Sequence, residues 1–514
     1  MGKITLSQLE QRLRALAPGA LGGLRRGIEK ESLRVRPDGA LAQTPHPAGL
    51  GAALTHPHIT TDFSESQLEF ITGVHAGAEA CLEELTQIHQ VVYRNIGDEV
   101  LWCASMPCGL PADDAIPIGR YGSSNVGRAK TVYRIGLSHR YGRRMQAISG
   151  IHYNFSMRGL SNDAYFALIR NFRRHSWLLL YLFGASPAVC ASFVKGRAHE
   201  LQELKPGTFY MPHATSLRMG RLGYQSEAQA LLAVSYNSLE SYGASLQDAL
   251  TRPYPSYEAI GIREGEGYRQ LATSLLQIEN EFYGTIRPKR IVRTGERPLH
   301  ALRERGVEYV EVRLMDLNPF CPVGIAAGTL RFLDVFLLHC LLCDSPPDTP
   351  QEIDAMARNL LRAAVRGREP GLRLERGSQD VTLVEWGGQV LAECEPIAAA
   401  LDAALYAGTG GSGYRDALAA AVAALNDPAS TPSARVLEAM QQSHDGSYSA
   451  FVLAQSLQHR SAIQSLTLEA EVAERFARLA EVSLAEQRRI EAADTVPFET
   501  FRQQYLGIVK LMSE

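Results

Sequence analysis

What this sequence lacks narrows it first. Neither sign of charge dominates: 52 basic and 55 acidic residues leave a net charge of −3 over 514 residues, so no global field draws the chain to nucleic acid or a membrane surface. Long apolar runs are missing as well. The one candidate, Trp177 to Val194, is eighteen residues without a charge, but Gly184-Ala185-Ser186-Pro187 breaks it into pieces too short for a bilayer core of about 30 Å. A buried helix followed by a buried turn and strand is expected there. Met1 to Leu24 has neither an apolar central region nor a cleavage site, and is expected to form a polar-patterned helix rather than a secretory leader.

Cysteines at paired spacings are also scarce. Eight of them (Cys81, Cys103, Cys108, Cys190, Cys321, Cys340, Cys343, Cys394) are scattered through the chain, mostly among apolar neighbours. Reduced thiols in the cytoplasm are expected, not a disulfide framework. Cys340-x-x-Cys343 lies on an apolar helix with no second pair at zinc spacing, and is read as core. Gly408 to Gly413 matches the letters of a dinucleotide fingerprint, but it follows a helix-like stretch and is read as an interhelical loop.

Charge is missing locally, and there the absences carry information. Between Arg36 and Glu69 there is no Lys or Arg to offset Asp62, Glu65 and Glu69. From Ala115 to Asn162 there is no Asp or Glu, while Arg120, Arg128, Lys130, Arg134, Arg140, Arg143, Arg144 and Arg158 all fall inside that stretch. The loop Gly119 to Arg128 has the glycines and serines that let backbone N–H groups approach phosphate oxygens, although its spacing is not that of a Walker loop. A basic surface and, given the interleaved Tyr121, Tyr133, Tyr141 and Tyr153, a nucleic-acid patch are the competing readings.

What is present is a recurring strand pattern with one acidic or polar face. In Gly27 to Val35, side-chain alternation puts Glu29, Glu31 and Leu33 on one face and Ile28, Lys30 and Ser32 on the other. Two carboxylates sharing a face repel unless water screens them or a cation lies between them. The pattern returns in Ile59 to Phe70 (Asp62, Glu69), in Ile151 to Ser156 (His152, Asn154, Ser156), in Gln277 to Tyr283 (Glu279, Glu281, Tyr283) and in Tyr309 to Met315 (Tyr309, Glu311, Arg313). Ile286 to Arg290 is read as a basic turn. Carboxylates facing a basic section point to a divalent metal bridging them to phosphates, and a nucleoside triphosphate with Mg²⁺ satisfies both halves. Strands apolar on one side and chemical on the other indicate an α+β protein, an antiparallel sheet packed on helices and open to a cleft. From about Asp344 the chain turns Ala-, Leu-, Glu- and Arg-rich with helical periodicity. The expected organisation is therefore a catalytic sheet-and-helix region, 1–343, and a mainly helical region, 344–514, packed on the same core.

Five blocks in order, Gly27-Ile-Glu-Lys-Glu-Ser-Leu-Arg-Val35, Ile59-Thr-Thr-Asp-Phe63 with Leu68-Glu-Phe-Ile-Thr72, Ser149-Gly-Ile-His-Tyr-Asn-Phe-Ser156, Tyr181-Leu-Phe-Gly-Ala-Ser-Pro187 and Glu308-Tyr-Val-Glu-Val-Arg313, resemble the proteobacterial type of glutamate–cysteine ligase. Glu491-Ala-Ala-Asp-Thr495 near the end agrees. The resemblance implies a funnel-like antiparallel sheet related to that of glutamine synthetase, and ATP-dependent joining of the glutamate γ-carboxylate to the cysteine amine in the first step of glutathione synthesis. By motif it makes Glu29, Glu31, Asp62, Glu69, His152 and Glu311 ligands of Mg²⁺ or Mn²⁺. It lines a cysteine pocket with Phe63, Tyr133, Gln146, Arg218, Tyr224 and Tyr283, and sets Arg313 against the transferred phosphoryl group. Lys130 and Arg128 are added from the basic section as phosphate contacts. The implied partners are glutamate, cysteine and ATP, with no nucleic acid or membrane; oligomeric state stays open, a monomer being compatible. The segment between Ser156 and Arg170 is short for the family, and a trimmed surface hairpin is expected there. A ligase coupling glutamate to another amine, a nucleic-acid-binding protein and a metal-dependent hydrolase are the alternatives.

Overall fold

The computed structural model describes residues 6–16, 19–223, 227–230, 232–293, 296–406 and 411–507. Its centre is a seven-stranded antiparallel sheet built from β1 (Leu24–Val35), β2 (Ile59–Thr61), β3 (Gln67–Ile71), β4 (Val100–Leu101), β5 (Ile151–Met157), β6 (Ile286–Lys289) and β7 (Tyr309–Met315). The order is β6-β7-β5-β1-β3-β2, with β4 paired to the end of β1. The longest strand, β1, runs through the middle and pairs on both sides, opposite β5 (Glu29 with His152, Ile28 with Tyr153) and opposite β3 (Glu31 with Glu69, Lys30 with Phe70). These registers put the acidic positions on one face and the apolar positions on the other, because a period of two is preserved along β1 with β3 and β5. The β7–β5 pairing keeps it through Val312 and shifts register between Val312 and Met315.

The apolar face is covered by helices. The longer helices along the chain are α1 (Ala78–Tyr93), α2 (Asn125–Tyr141), α3 (Asn162–Phe183), α4 (Ala327–Leu342), α5 (Leu383–Leu405), α6 (Gly413–Asn426), α7 (Tyr448–Ser465), α8 (Ala470–Ala493) and α9 (Phe498–Gly507). Of these, α2 and α9 pack on each other around Val132 and Phe498, with Arg134 of α2 reaching the Asp62 carbonyl on the acidic side. α3 packs on β6 and β7, α4 on α3, and α5 and α6 on α4. Ile28, Phe70, Tyr153 and Val312 of the sheet share one buried cluster with Leu337, Leu391, Leu418 and Phe476. A second cluster gathers Trp102, Val189, Val436 and Phe451 around one end. The apolar stretch 177–194 is the buried end of α3, a turn, and the buried strand Ala188–Cys190, as its broken pattern predicts. Among the described residues no helix is long and apolar enough to cross a membrane.

Four sequence expectations are corrected. Cys108 and Cys190 are joined in a disulfide, their Cα atoms 5.4 Å apart, and the other six cysteines are free; the partners lie 82 residues apart in apolar settings, where spacing carries no pairing signal. Gln277 to Tyr283 is not a strand. Glu279–Glu281 forms a 3-10 turn whose acids are consumed by structure: Glu279 binds Arg297, and Glu281 takes Arg140, Tyr141 and the Gln277 N–H. Conversely, Ile286–Lys289 is a strand and not a turn; Pro288 is tolerated because β6 is the sheet edge. Among the described residues the N-terminal helix covers Leu6–Arg14 and a 3-10 turn at Leu21–Gly23 precedes β1, so the expected helix does not continue to Leu24. Of Gly408 to Gly413, residues 408–410 lie outside the described residues, and α6 begins at Gly413.

Candidate active site

The carboxylates converge because alternation aims them from neighbouring strands at one face. Glu29 and Glu31 come from β1, Glu69 from β3, His152 and Asn154 from β5, Glu311 and Arg313 from β7, and Arg287 and Lys289 from β6. His152 is central: its Nδ1 is 3.3 Å from Glu29 Oε2 and 3.8 Å from Glu311 Oε1, and its Nε2 is 3.7 Å from Glu31 Oε1. Glu29 also accepts from Asn154 Nδ2 at 2.8 Å. One donor atom each from Glu29, Glu69 and His152 lies within 4.8 Å of the others. Such a crowd of carboxylate oxygens with one imidazole suits Mg²⁺ or Mn²⁺.

The electrostatics divide this face in two. On one side Lys289 Nζ stands 3.0 Å from Glu311 Oε1 and Arg313 Nη1 stands 2.9 Å from Glu311 Oε2. Burial raises the Glu311 carboxyl, but Lys289, Arg313 and His152 outweigh it and hold the group well below the ordinary carboxylate range. Glu29 is likewise lowered: burial and Glu311 push it up, and the His152 hydrogen bond and Lys289 prevail. On the other side, burial and the Asp62 charge lift Glu31 well above its usual value and bring Glu69 to about 8. Among the described residues these three acids form no direct ion pair with Lys or Arg, although Arg218 and Arg313 stand near Glu31 and Arg134 and Lys130 near Glu69. Burial and Arg313 lower His152, leaving its imidazole neutral and able to ligate.

Gly150 ties this cluster to the next. Its N–H donates to Glu31 Oε2 at 2.7 Å, and a Cβ at this position would fall 2.0 Å from Arg218 Nη2, so only glycine leaves room for that guanidinium. Arg218, buried, donates to the Arg313 carbonyl at 2.9 Å and lies 3.9 Å from Asp316. Gln146 Nε2 donates to the Tyr283 hydroxyl at 2.6 Å. Phe63 is buried beside Asp62, its carbonyl accepting from Gly119 N–H. Tyr133 is half-buried on α2, and its carbonyl accepts from Gln277 Nε2. Tyr224 lies outside the described residues.

The basic section is largely committed within the fold. Arg134 donates to the Asp62 carbonyl, Arg140 pairs with Glu281, and Arg143 and Arg144 bind backbone carbonyls. Lys130 lies over the Tyr121 ring near Glu69, and burial and Arg134 bring its amine down to about 8. Arg128 is exposed and stacked 4.5 Å from the Phe498 ring. The N–H groups of the glycine-serine loop meet carboxylates from the end of the chain: Ser123 donates to Glu491 and Asn125 to Asp494. Sequence reasoning passed over Lys289 and Gly150. Lys289 was legible only as the alternate of Arg287 on a strand, a signal that Pro288 masked.

The matches to known proteins agree with this geometry. The family model described as glutamate-cysteine ligase matches residues 9–363. A glutamate–cysteine ligase of Alcanivorax borkumensis is 47% identical over 97% of this chain and 99% of its own, and one of Azotobacter vinelandii is 49% identical over 94% of each. A crystal structure of glutamate–cysteine ligase from Francisella tularensis in complex with AMP superposes with a TM-score of 0.90 at 37% identity, over 95% of this chain and 98% of that one. A bifunctional glutathione synthetase from Pasteurella multocida matches with a TM-score of 0.69 at 27% identity, over 92% of this chain and 57% of that one. By sequence and by fold, the chain belongs to the glutamate–cysteine ligase family.

Proposed function

We propose that this protein joins L-glutamate to L-cysteine at the expense of ATP, forming γ-glutamylcysteine through a γ-glutamyl phosphate. The observation that carries the reading is the acidic sheet face, in which Glu31, Glu69 and Asp62 are crowded with no direct ion pair to Lys or Arg among the described residues while Glu29 and Glu311 are held ionised beside Arg313 and Lys289. A carboxylate is a poor acylating agent until an oxygen is converted into a leaving group. The glutamate γ-carboxylate attacks the terminal phosphorus of ATP, ADP leaves, and the cysteine amine, having lost a proton, then attacks the acyl carbon and expels inorganic phosphate.

In this reading Glu29, Glu31, Asp62, Glu69, His152 and Glu311 hold Mg²⁺ or Mn²⁺, which when bound neutralises charge on the ATP phosphates. Arg313, kept cationic by Glu311, faces the oxygens of the transferred phosphoryl group and stabilises their charge in the transition state. Lys289 and Lys130 offer ammonium groups at the two sides of the face. Gln146, Tyr283, Arg218, Phe63, Tyr133 and Tyr224 line the pocket for the acceptor cysteine. Region 1–343 carries every one of these residues, and region 344–514 buttresses the sheet through α5 and α6. We place the activity in the cytoplasm, where ATP and both amino acids are made.

The test is phosphate release from ATP with glutamate, cysteine and Mg²⁺ each omitted in turn, and the product mass determined. Release that needs all four and yields γ-glutamylcysteine is expected. Glutamate-dependent release with another amine preferred would reassign the acceptor pocket, and glutamate-independent release would make the protein a hydrolase.

A further inference from the structure

A second cluster of ligating side chains lies on the helical side of the sheet, remote from the carboxylate face. His339 and Cys343 are one turn apart at the end of α4, and Glu393 reaches them from α5. His339 Nε2 is 2.7 Å from Glu393 Oε2, and one donor atom from each of His339, Cys343 and Glu393 lies within 4.8 Å of the others. Behind them, His175 of α3 and Cys340 form with His339 a second set of the same tightness. Cys394 is near enough to Cys340 and Cys343 for the thiols to influence one another.

Two observations separate this cluster from ordinary core packing. His339 is fully buried, yet its Nδ1 has no hydrogen-bond partner, and neither has Nε1 of the buried Trp386, whose ring meets the edge of His175 at 5.8 Å. Buried polar atoms are nearly always paired, and the unpartnered Nδ1 leaves the His339 ring free to carry its proton there, with Nε2 turned toward Glu393 as a ligand. The cluster also has an entrance, because Cys343 is half-buried and the Glu393 side chain is 25% exposed. Cys340 is in the core and Cys343 packs against it, as the apolar reading of Cys340-x-x-Cys343 expects, and the other donors come from helices distant in sequence.

We propose that His339, Cys343 and Glu393 form a binding site for a divalent d-block cation of the zinc type, with a solvent water completing four-coordination. An imidazole nitrogen, a thiolate sulfur and a carboxylate oxygen form a borderline-soft donor set that favours Zn²⁺ or Co²⁺ over hard Mg²⁺, the reverse of the oxygen-rich sheet face. Binding replaces the His339–Glu393 hydrogen bond and the Cys343 S–H bond with bonds to the metal; the proton of that hydrogen bond moves to His339 Nδ1 and the thiol proton goes to solvent, so uptake releases one proton. The bound cation ties the end of α4 to α5. None of this depends on the ligase reading.

The experiment is titration of chelator-treated full-length protein with Co²⁺, without substrate cysteine and with Mg²⁺ in excess, following the near-ultraviolet thiolate-to-cobalt charge-transfer absorption. One equivalent giving that band is expected, lost in Cys343→Ala and weakened at least tenfold in Glu393→Gln, but retained in Cys340→Ala and in Glu31→Gln on the sheet face. Zn²⁺ should raise the melting temperature of the wild type and leave that of Cys343→Ala unchanged, with the metal-free melting curve of the variant checking that it folds. No sulfur-to-cobalt band would overturn the proposal. So would a band that survives Cys343→Ala, or one lost in Cys340→Ala alone, which would assign the metal to the deeper His175 set.

Discussion

The two faces of the central sheet bury charge in opposite ways. On the helical face, Arg26 of β1 meets Asp334 of α4 at 2.8 Å with both side chains fully buried, and Asp334 also accepts from Tyr153 at 2.5 Å and Tyr414 at 3.2 Å. Arg26 and Asp334 thus complete one another inside the protein, while Lys30 of the same face meets His89 Nε2 at 2.7 Å and is brought to about 7 by burial, so it too carries no uncompensated charge. On the open face, Glu31, Glu69 and Asp62 are grouped with no direct ion pair to Lys or Arg among the described residues, and burial lifts the first two toward the protonated form. Closed networks hold a fold together. A face left short of positive charge is built to receive it from outside, and strands with identical alternation deliver both.

The contrast breaks most heavily at its closed end. Asp334→Asn leaves Arg26 buried without a counter-charge, and should cost about 3–5 kcal/mol of stability. Denaturant unfolding measures this, and kcat of the folded fraction should stay within about twofold of wild type, since hydrogen-bond networks on the far face position no reacting group. On the open face the outcome inverts. Arg313→Ala should lower kcat by about 10²–10³-fold, the usual effect of deleting one donor to developing charge, while the unfolding midpoint changes little. A variant pair in which both lose stability and neither loses kcat selectively would erase the distinction.

A smaller effect reports on the uncompensated acids directly. Because the folded-state value of Glu69 is about 8, above the ordinary 4.5, the native state holds a proton that the unfolded chain has released between those pH values. Stability contributed by this group is therefore complete below about pH 4.5 and is lost as pH rises toward 8. Buried histidines such as His46 and His56, brought to about 4 by burial, act in the opposite direction, so the informative quantity is a difference. In metal-free protein, Glu69→Gln should gain stability relative to wild type by up to about 1.4 kcal/mol per pH unit across pH 5–8. Added Mg²⁺ should cancel that gain by stabilising the wild type. Parallel stability–pH curves for the two proteins would show that Glu69 is not held in the strained environment described.

Much of this face is legible in the sequence because a period of two needs no tertiary information. Glu29 and Glu31, His152 and Asn154, and Glu311 and Arg313 each fall on one face from local alternation, and the registers of β1 with β5 and β3 then assemble them. What alternation misses is what tertiary contacts decide. Glu279 and Glu281 show the same spacing, yet Arg297 and Arg140 draw them into a 3-10 turn away from the site. Lys289 is hidden by the proline beside it. The loop 119–128 has phosphate-binding letters, but its free N–H groups are met by Glu491 and Asp494 from more than 360 residues away. The Cys108–Cys190 bridge is equally non-local, and alkylation under native conditions should leave those two cysteines unmodified before reduction.

The acceptor pocket gives the smallest effect and sharpens the contrast within the open face, between groups that move phosphate and groups that choose the amine. Tyr283 Oη accepts from Gln146 Nε2 at 2.6 Å, and its ring meets the edge of Tyr141 at 5.6 Å. Tyr283→Phe keeps the ring and removes only the hydroxyl, so it should cost about 0.5–1.5 kcal/mol, a three- to tenfold change. If the residue lines the cysteine pocket, that change falls on the KM for cysteine, while the KM for ATP and the glutamate dependence of phosphate release are preserved. An equal rise in the KM values of all three substrates would mean that Tyr283 holds the fold of the site and does not select the acceptor. A rise confined to ATP would move the residue to the nucleotide side and reopen the assignment of Gln146 with it.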